Sequence, residues 1–375
     1  MILTYDVGSI PFFGDFEKFS NGSKVNSIFN LLDNLGNYSN DRKYFEKKVV
    51  DCFIDKIKTG LSIPNYPQFR DMSEMFLNQI EGVEKVAEGY RAFDKISCIN
   101  KKLEIPEMNV IKENSREISE IIGKPSHVKM CVTGPYTLAS MFINRQIHLL
   151  RQLGDVISKI IERNVFFGKF GQVVLISVDE PFFGLTDDPL LDYGSTGREE
   201  LLMVWETIFH KIKSMNIKSI IHLHSTTNEL FWNIKSLDII ESHVNDSLYS
   251  SIRTKEHLKE RDKLLKATIG VTDFDSLIRT HELSRETIDE ITLNQRIGDI
   301  WKQIKNGGID PVIFLEDKHL IYNRLKRIVD RYGERVSYAG PECGLTSFPN
   351  YNCALENLRR ISQVVNQINM QLKND

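Results

Sequence analysis

Short apolar runs that stop at polar or Gly/Pro punctuation alternate along this chain with longer stretches of helical period. The runs are ILTYDVGSIP (2–11), HVKMCVTGP (127–135), VVLISVDEP (173–181), SIIHLHS (219–225), LDIIES (237–242), LLKATIGV (264–271) and RVSYAGPECG (335–344). Between them lie helix-period stretches such as Leu149–Phe167, Glu199–Met215, Ile288–Ile304 and Asn323–Tyr332. Strands that alternate with helices imply a parallel sheet covered by helices. Roughly eight strands in a chain of this length favour an α/β fold of the (β/α)8 TIM-barrel type, one domain spanning 1–375 with elaborated βα loops. No GxGxxG fingerprint follows the first run, which counts against an open dinucleotide-binding sheet.

Charge and cysteine usage narrow the function classes. A net charge of −3 and a pI near 6.3 give no basic footprint for nucleic acid or an anionic membrane. No stretch approaches the roughly 18 to 20 apolar residues of a membrane span. The opening MILTYDVGSIP reads as a first strand rather than a signal peptide. Five scattered cysteines, at 52, 98, 131, 343 and 353, suit a reducing cytoplasm and no disulfide framework. Cys131 is expected in the core and Cys353 in a C-terminal helix. The charged run RTKEHLKERDKLLK (253–266) is expected to form a solvated helix face.

Polar residues collect at the C-terminal ends of the runs, where the active sites of such barrels lie. They are Gly8-Ser9, Thr133-Gly134, Asp179-Glu180, His224, Glu241 and Cys343. His222 and His224 sit two apart, so in a strand both imidazoles point the same way. With Glu241 and Cys343 they make a set of nitrogen, oxygen and sulfur donors suited to tetrahedral Zn²⁺.

Taken together, VGSIP, VTGPYTLA, SVDEPFF, IIHLHS, LDIIES, TIGVTDFDS and GPECGLTS resemble, in the same order, the C-terminal catalytic barrel of cobalamin-independent methionine synthases. The resemblance spans nearly the whole chain and points to a short, single-barrel branch known mainly from archaea and some bacteria. It implies zinc-dependent transfer of a methyl group to the thiol of homocysteine. His222, Glu241 and Cys343 fall on ligand positions, and His224 stands where that family has cysteine. Gly8 and Ser9 fall where the homocysteine carboxylate is held, and Asp179 matches the carboxylate that holds its ammonium group. Gln68 occupies the position of a second acidic partner, with Asp71 nearby. Asp273 also matches, making Asp179 and Asp273 the catalytic candidates, while Asp275 replaces a histidine used in proton handling near folate.

The methyl donor left open by the resemblance is methylcobalamin, a corrinoid protein, or a methylated folate or pterin. The missing first barrel and Asp275 favour a corrinoid, because folate activation needs a proton source on the leaving nitrogen. Three other readings compete: zinc-dependent methylation of another thiol such as coenzyme M, decarboxylation of uroporphyrinogen on a related metal-free barrel, and a non-catalytic barrel that binds a corrinoid protein.

Overall fold

The computed structural model describes residues 1–24, 36–98 and 103–374. Its strands are β1 (Leu3–Thr4), β2 (Ile80–Val86), β3 (Gly89–Cys98), β4 (Ser126–Thr133), β5 (Gly171–Glu180), β6 (Lys218–Leu223), β7 (Ile239–Glu241), β8 (Leu264–Gly270) and β9 (Val336–Pro341). Seven of them form one sheet in the order β1-β9-β8-β7-β6-β5-β4, and every pairing in it is parallel. Helices such as Ile147–Asn164, Thr196–Ser214, Lys318–Tyr332 and Tyr351–Gln371 cover its outer face.

Residues 61–68 run between the two edge strands. Ser62 and Ile63 donate their backbone N–H to Thr4 O, and Gln68 N donates to Gly8 O. On the other side Tyr66 N donates to Lys129 O, and Lys129 N returns to Pro64 O. The contacts are isolated bridges, Ser9 with Gln68 and Asn65 with Lys129, rather than a ladder. Pro64 and Pro67 lack the N–H groups that a regular strand would use.

Each flanking helix follows from its local sequence. In Thr196–Ser214 the Ser195 hydroxyl accepts from Arg198 N, satisfying one of the free N–H groups of the first turn. Leu201, Val204, Trp205, Ile208 and Ile212 recur at helical spacing and are buried. Trp205 Nε1 then donates to Glu180 at the end of β5, 2.8 Å away. The same carboxylate accepts from Tyr136 N and Thr137 N. Glu180 therefore clamps β5 to both of its neighbours, and burial pushes its carboxyl up to about 7 against those three N–H donors.

Inside the curl, Tyr5, Ile63, Leu175, Ile220, Ile239 and Tyr338 form an apolar floor. Above it the interior turns polar. Lys56 pairs with Asp6 at 2.7 Å, and Lys266 pairs with Glu241 at 2.7 Å, all four side chains being essentially fully buried. Lys129 Nζ donates to Val7 O and Asn65 Oδ1.

Three expectations change here. The first run forms a regular strand only at Leu3–Thr4, and four residues further on Gly8 has φ +148°. The run 253–266 is not one solvated face: its helix ends at Glu260, and Lys263 and Lys266 are 2% and 0% exposed. An antiparallel hairpin, β2 with β3, joins the parallel sheet's architecture, and its Tyr90 exchanges backbone hydrogen bonds with Met141 and Ile143. Cys131 and Cys353 are buried as expected.

Candidate metal centre and its pocket

Strand register builds the site. Asp179 of β5 lies opposite His222 of β6, which in turn lies opposite Glu241 of β7. In parallel strands such partners face the same side, so His222 stands between two carboxylates. Period two then carries His224 and His243 to the same side, one step nearer the mouth. Cys343 arrives from the turn after β9. His222, His224, His243 and Cys343 each bring one donor atom within 4.8 Å of the others.

His243 was not among the residues singled out from the sequence. The signal was present, since Glu241-Ser-His243, running from the end of β7, repeats the i, i+2 spacing of His222-Leu-His224. The Glu342 side chain fixes the loop that bears it, accepting from Val244 N and Thr272 N.

Glu241 occupies a different place from the one expected of a metal ligand. Its Oε2 accepts from Lys266 Nζ at 2.7 Å and from the Tyr5 hydroxyl at 2.9 Å. Its Oε1 lies 2.9 Å from His222 Nδ1. Both oxygens are engaged, behind His222 rather than beside the four clustered donors.

The donors themselves fit a metal ion. The Nε2 atoms of His222 and His243 are buried and make no hydrogen bond of regular geometry among the described residues, a costly state unless something is bound there. Cys343 Sγ lies 3.5 Å from His224 Nε2. Three imidazoles and one thiolate form a borderline-soft set suited to zinc.

Protonation in the metal-free protein follows the same geometry. Burial would lower His222, but the neighbouring Cys343 thiol and the hydrogen bond and charge of Glu241 raise it to about 10. Burial would raise Cys343, yet the neighbouring His222 and His243 imidazoles hold it at about 6. Burial and the charge on His222 push His224 down to about 4. Glu241 stays well below the usual carboxylate range, because Lys266 and His222 outweigh its burial.

A cavity of about 280 Å³ opens onto the cluster. Ser9, Gln68, Asp71 and Asp179 line it together with His222, His224 and Cys343. Ser9 and Gln68 face each other as a bridge pair. Gly344 allows this approach, since a Cβ there would sit 1.8 Å from Ser9 Oγ. A Cβ on Gly8 would in turn press to 2.6 Å from the Asn65 side chain. Asp179 is 5% exposed, and its Oδ1 accepts from the Ser177 hydroxyl. Asp71 both lines the cavity and caps residues 74–77, accepting from Ser73 N and Glu74 N.

Asp273 is not brought here. It caps the helix Phe274–Leu283, accepting from Asp275 N, Ser276 N and the Ser276 hydroxyl. Asp275 accepts from Trp301 Nε1 at 2.6 Å. Asp273, expected to be catalytic, is engaged in a helix cap and does not line the cavity.

With this geometry in place, known proteins can be set beside it. No family model matches the chain. A methionine synthase from Saccharolobus solfataricus is 23% identical over 199 residues, 51% of this chain and 56% of that protein. One from Sulfurisphaera tokodaii is 20% identical over 339 residues, 88% of this chain and 84% of that protein. A solved B12-independent methionine synthase from Shewanella sp. W3-18-1, in complex with selenomethionine, superposes with TM-score 0.59 over the full length of both chains at 13% identity. The chain is related to the cobalamin-independent methionine synthases. The match to the Saccharolobus methionine synthase covers just over half of that protein, and the likeness to the Shewanella methionine synthase is one of fold. Among the described residues no helix is long and apolar enough to cross a membrane.

Proposed function

We propose that this chain is a zinc-dependent methyltransferase that converts homocysteine to methionine on a single (β/α)8-type barrel, with residues 61–68 serving as the eighth stave. One observation carries the reading: a cavity the size of an amino acid joins an unpaired aspartate to a cluster of metal-grade donors. At about 280 Å³ the cavity is at the small end for ligand sites, which suits a free amino acid better than a large cofactor.

His222, His224, His243 and Cys343 would hold the zinc. When bound, zinc supplies the Lewis acidity that keeps a thiol deprotonated near neutral pH. The chain's own residues do the positioning. Asp179 pairs with the substrate ammonium group, and the Gln68 side-chain oxygen offers it a second acceptor. Ser9 donates its hydroxyl to the substrate carboxylate, and the glycines at 8 and 344 let that loop close on it. Asp71, already fixed by the backbone of 73 and 74, sets the rim.

The clamp favours an amino-acid thiol over coenzyme M, which has no ammonium group for Asp179. The donor follows from what is absent near the pocket lining. Asp273 and Asp275, the residues at the folate-handling positions, are engaged in a helix cap and a Trp301 hydrogen bond. A donor whose leaving group needs no proton, such as a methyl-corrinoid approaching from outside the cavity, suits these residues better than methyltetrahydrofolate.

The test is methionine formation by the zinc-loaded protein from L-homocysteine, with methylcobalamin and methyltetrahydrofolate supplied in parallel. Turnover with methylcobalamin and little with the folate is expected. Methylation of coenzyme M but not of homocysteine would sink the reading.

A further inference from the structure

The relation between Glu241 and Lys266 carries the argument one step further, and it rests on the metal reading above. Lys266 is 0% exposed and held at three points. Its Nζ donates to Glu241 Oε2 and to Pro341 O, each at 2.7 Å, and it lies 4.8 Å from the centre of the Tyr5 ring. The lysine stem fits because residue 340 is glycine: a Cβ there would sit 3.0 Å from Lys266 Cε and 2.1 Å from Tyr5 O.

This arrangement uses up Glu241. One oxygen serves Lys266 and Tyr5, and the other serves His222 Nδ1. For Glu241 to enter a metal's ligand shell it would have to release an ammonium group sealed in the barrel interior. A buried charge stripped of its partner is strongly disfavoured. Nothing comparable holds His243. Its Nε2 is buried and makes no regular hydrogen bond among the described residues, and its ring centre is 4.0 Å from that of His224.

We infer that Lys266 fixes the composition of the ligand set, holding Glu241 behind His222 as an orienting carboxylate and leaving the fourth ligand position to His243. Carboxylates in this second position set the tautomer and direction of a ligating histidine. Here Glu241 places the ring so that Nε2 faces the cluster. Lys266 is a positioning residue, acting through Glu241 without touching metal or substrate.

Zinc-loaded wild-type protein and four variants distinguish the alternatives, read by X-ray absorption for the number of imidazoles and sulfurs and by chelator competition for affinity. Wild type should show three imidazoles and one sulfur. His243→Ala should show two imidazoles and lose more than the roughly 10–100-fold in affinity expected from removing an outer partner. Lys266→Met should free Glu241 to replace one imidazole, lowering the count to two. Glu241→Gln strands the lysine and can fail to fold, so Lys266→Met/Glu241→Gln accompanies it. That double variant should keep three imidazoles, with affinity reduced about 10–100-fold.

A double variant that holds no zinc, together with His243→Ala at wild-type affinity, would overturn the inference and make Glu241 the ligand. An unchanged imidazole count in Lys266→Met would remove Lys266 from the account. Wild-type protein that holds no zinc would overturn the metal reading itself, and this inference with it.

Discussion

Two carboxylates flank His222 in register, and they have opposite surroundings. Glu241, on the β7 side, is fully buried and already matched to a cation, Lys266. Asp179, on the β5 side, is nearly buried but faces the cavity, and its hydrogen bond is to the neutral Ser177 hydroxyl. No ion pair among the described residues includes Asp179. The same chemical group thus becomes a piece of scaffold or a receptor according to whether the fold supplies its counter-charge. Where the cation is internal, the acid holds a histidine in place. Where it is missing, the acid is left for a cation from outside.

The largest effect should come from breaking the filled side. Glu241→Ala leaves Lys266 as an unpartnered buried charge, a change that costs about 3–5 kcal/mol of stability. Urea unfolding should register that loss, and Glu241→Met/Lys266→Met should recover most of it. A single variant that loses less than about 1 kcal/mol would show that the pair is not buried as described.

Next comes the open side. Asp179→Asn keeps the shape but removes the charge that meets an ammonium group, a charge-assisted bond worth roughly 1.5–3 kcal/mol. The kcat/KM for homocysteine should therefore fall by about one to two decades, mostly through KM, with zinc content unchanged. Normal homocysteine kinetics would remove the amino-acid clamp and revive the coenzyme M reading.

A smaller, pH-dependent effect probes how far the filled side reaches. With His222 kept protonated by Glu241, the Cys343 thiol is held at about 6 in metal-free protein. The thiolate therefore persists above that pH and is lost as pH falls through it. Iodoacetamide should modify Cys343 with a rate that drops about tenfold per pH unit below 6. Cys131, raised by burial to about 11, and Cys52, raised to about 12, should stay unmodified. In Lys266→Met/Glu241→Gln the Cys343 midpoint should move upward. Zinc should protect Cys343 in both proteins.

The smallest effect concerns Asp273. Asparagine caps helices about as well as aspartate, so Asp273→Asn should shift stability by only a few tenths of a kcal/mol and leave kcat/KM unchanged. A clear loss of turnover would restore the catalytic role that its helix cap argues against.

The placement of strand ends was legible in the sequence because it depends on local pattern. Apolar runs bounded by punctuation located β4–β6 and β9 closely, and period two was enough to put His222 and His224 on one face. What sequence could not show was partnership between distant elements. Lys266 fell both in the charged run 253–266 and in the apolar run 264–271, and neither pattern tells which carboxylate a strand lysine meets. Its partner lies on another strand. His243 carried a visible spacing signal, but the carboxylate two residues earlier matched the ligand position of the resembled family and masked it. Residues 61–68 gave no strand pattern at all, since their prolines and isolated bridges leave no alternation to detect.

Those same residues determine where the two edges of the curled sheet can come apart. Most neighbouring strands are zipped by consecutive amides, whereas this joint is pinned by a side chain reaching in from the helix Gly36–Lys58. Lys56 Nζ binds Asp6, Gly8 O and Asn65 O at once, stitching both sides of the seam. Amide protons along 62–68 should therefore exchange with solvent through local opening well before those of β4 to β6. Each such opening parts Ser9 from Gln68, which both line the cavity, while the histidines at the ends of β6 and β7 stay in register. Breathing at this seam would then open the cavity to a small ligand without moving the cluster of metal-grade donors.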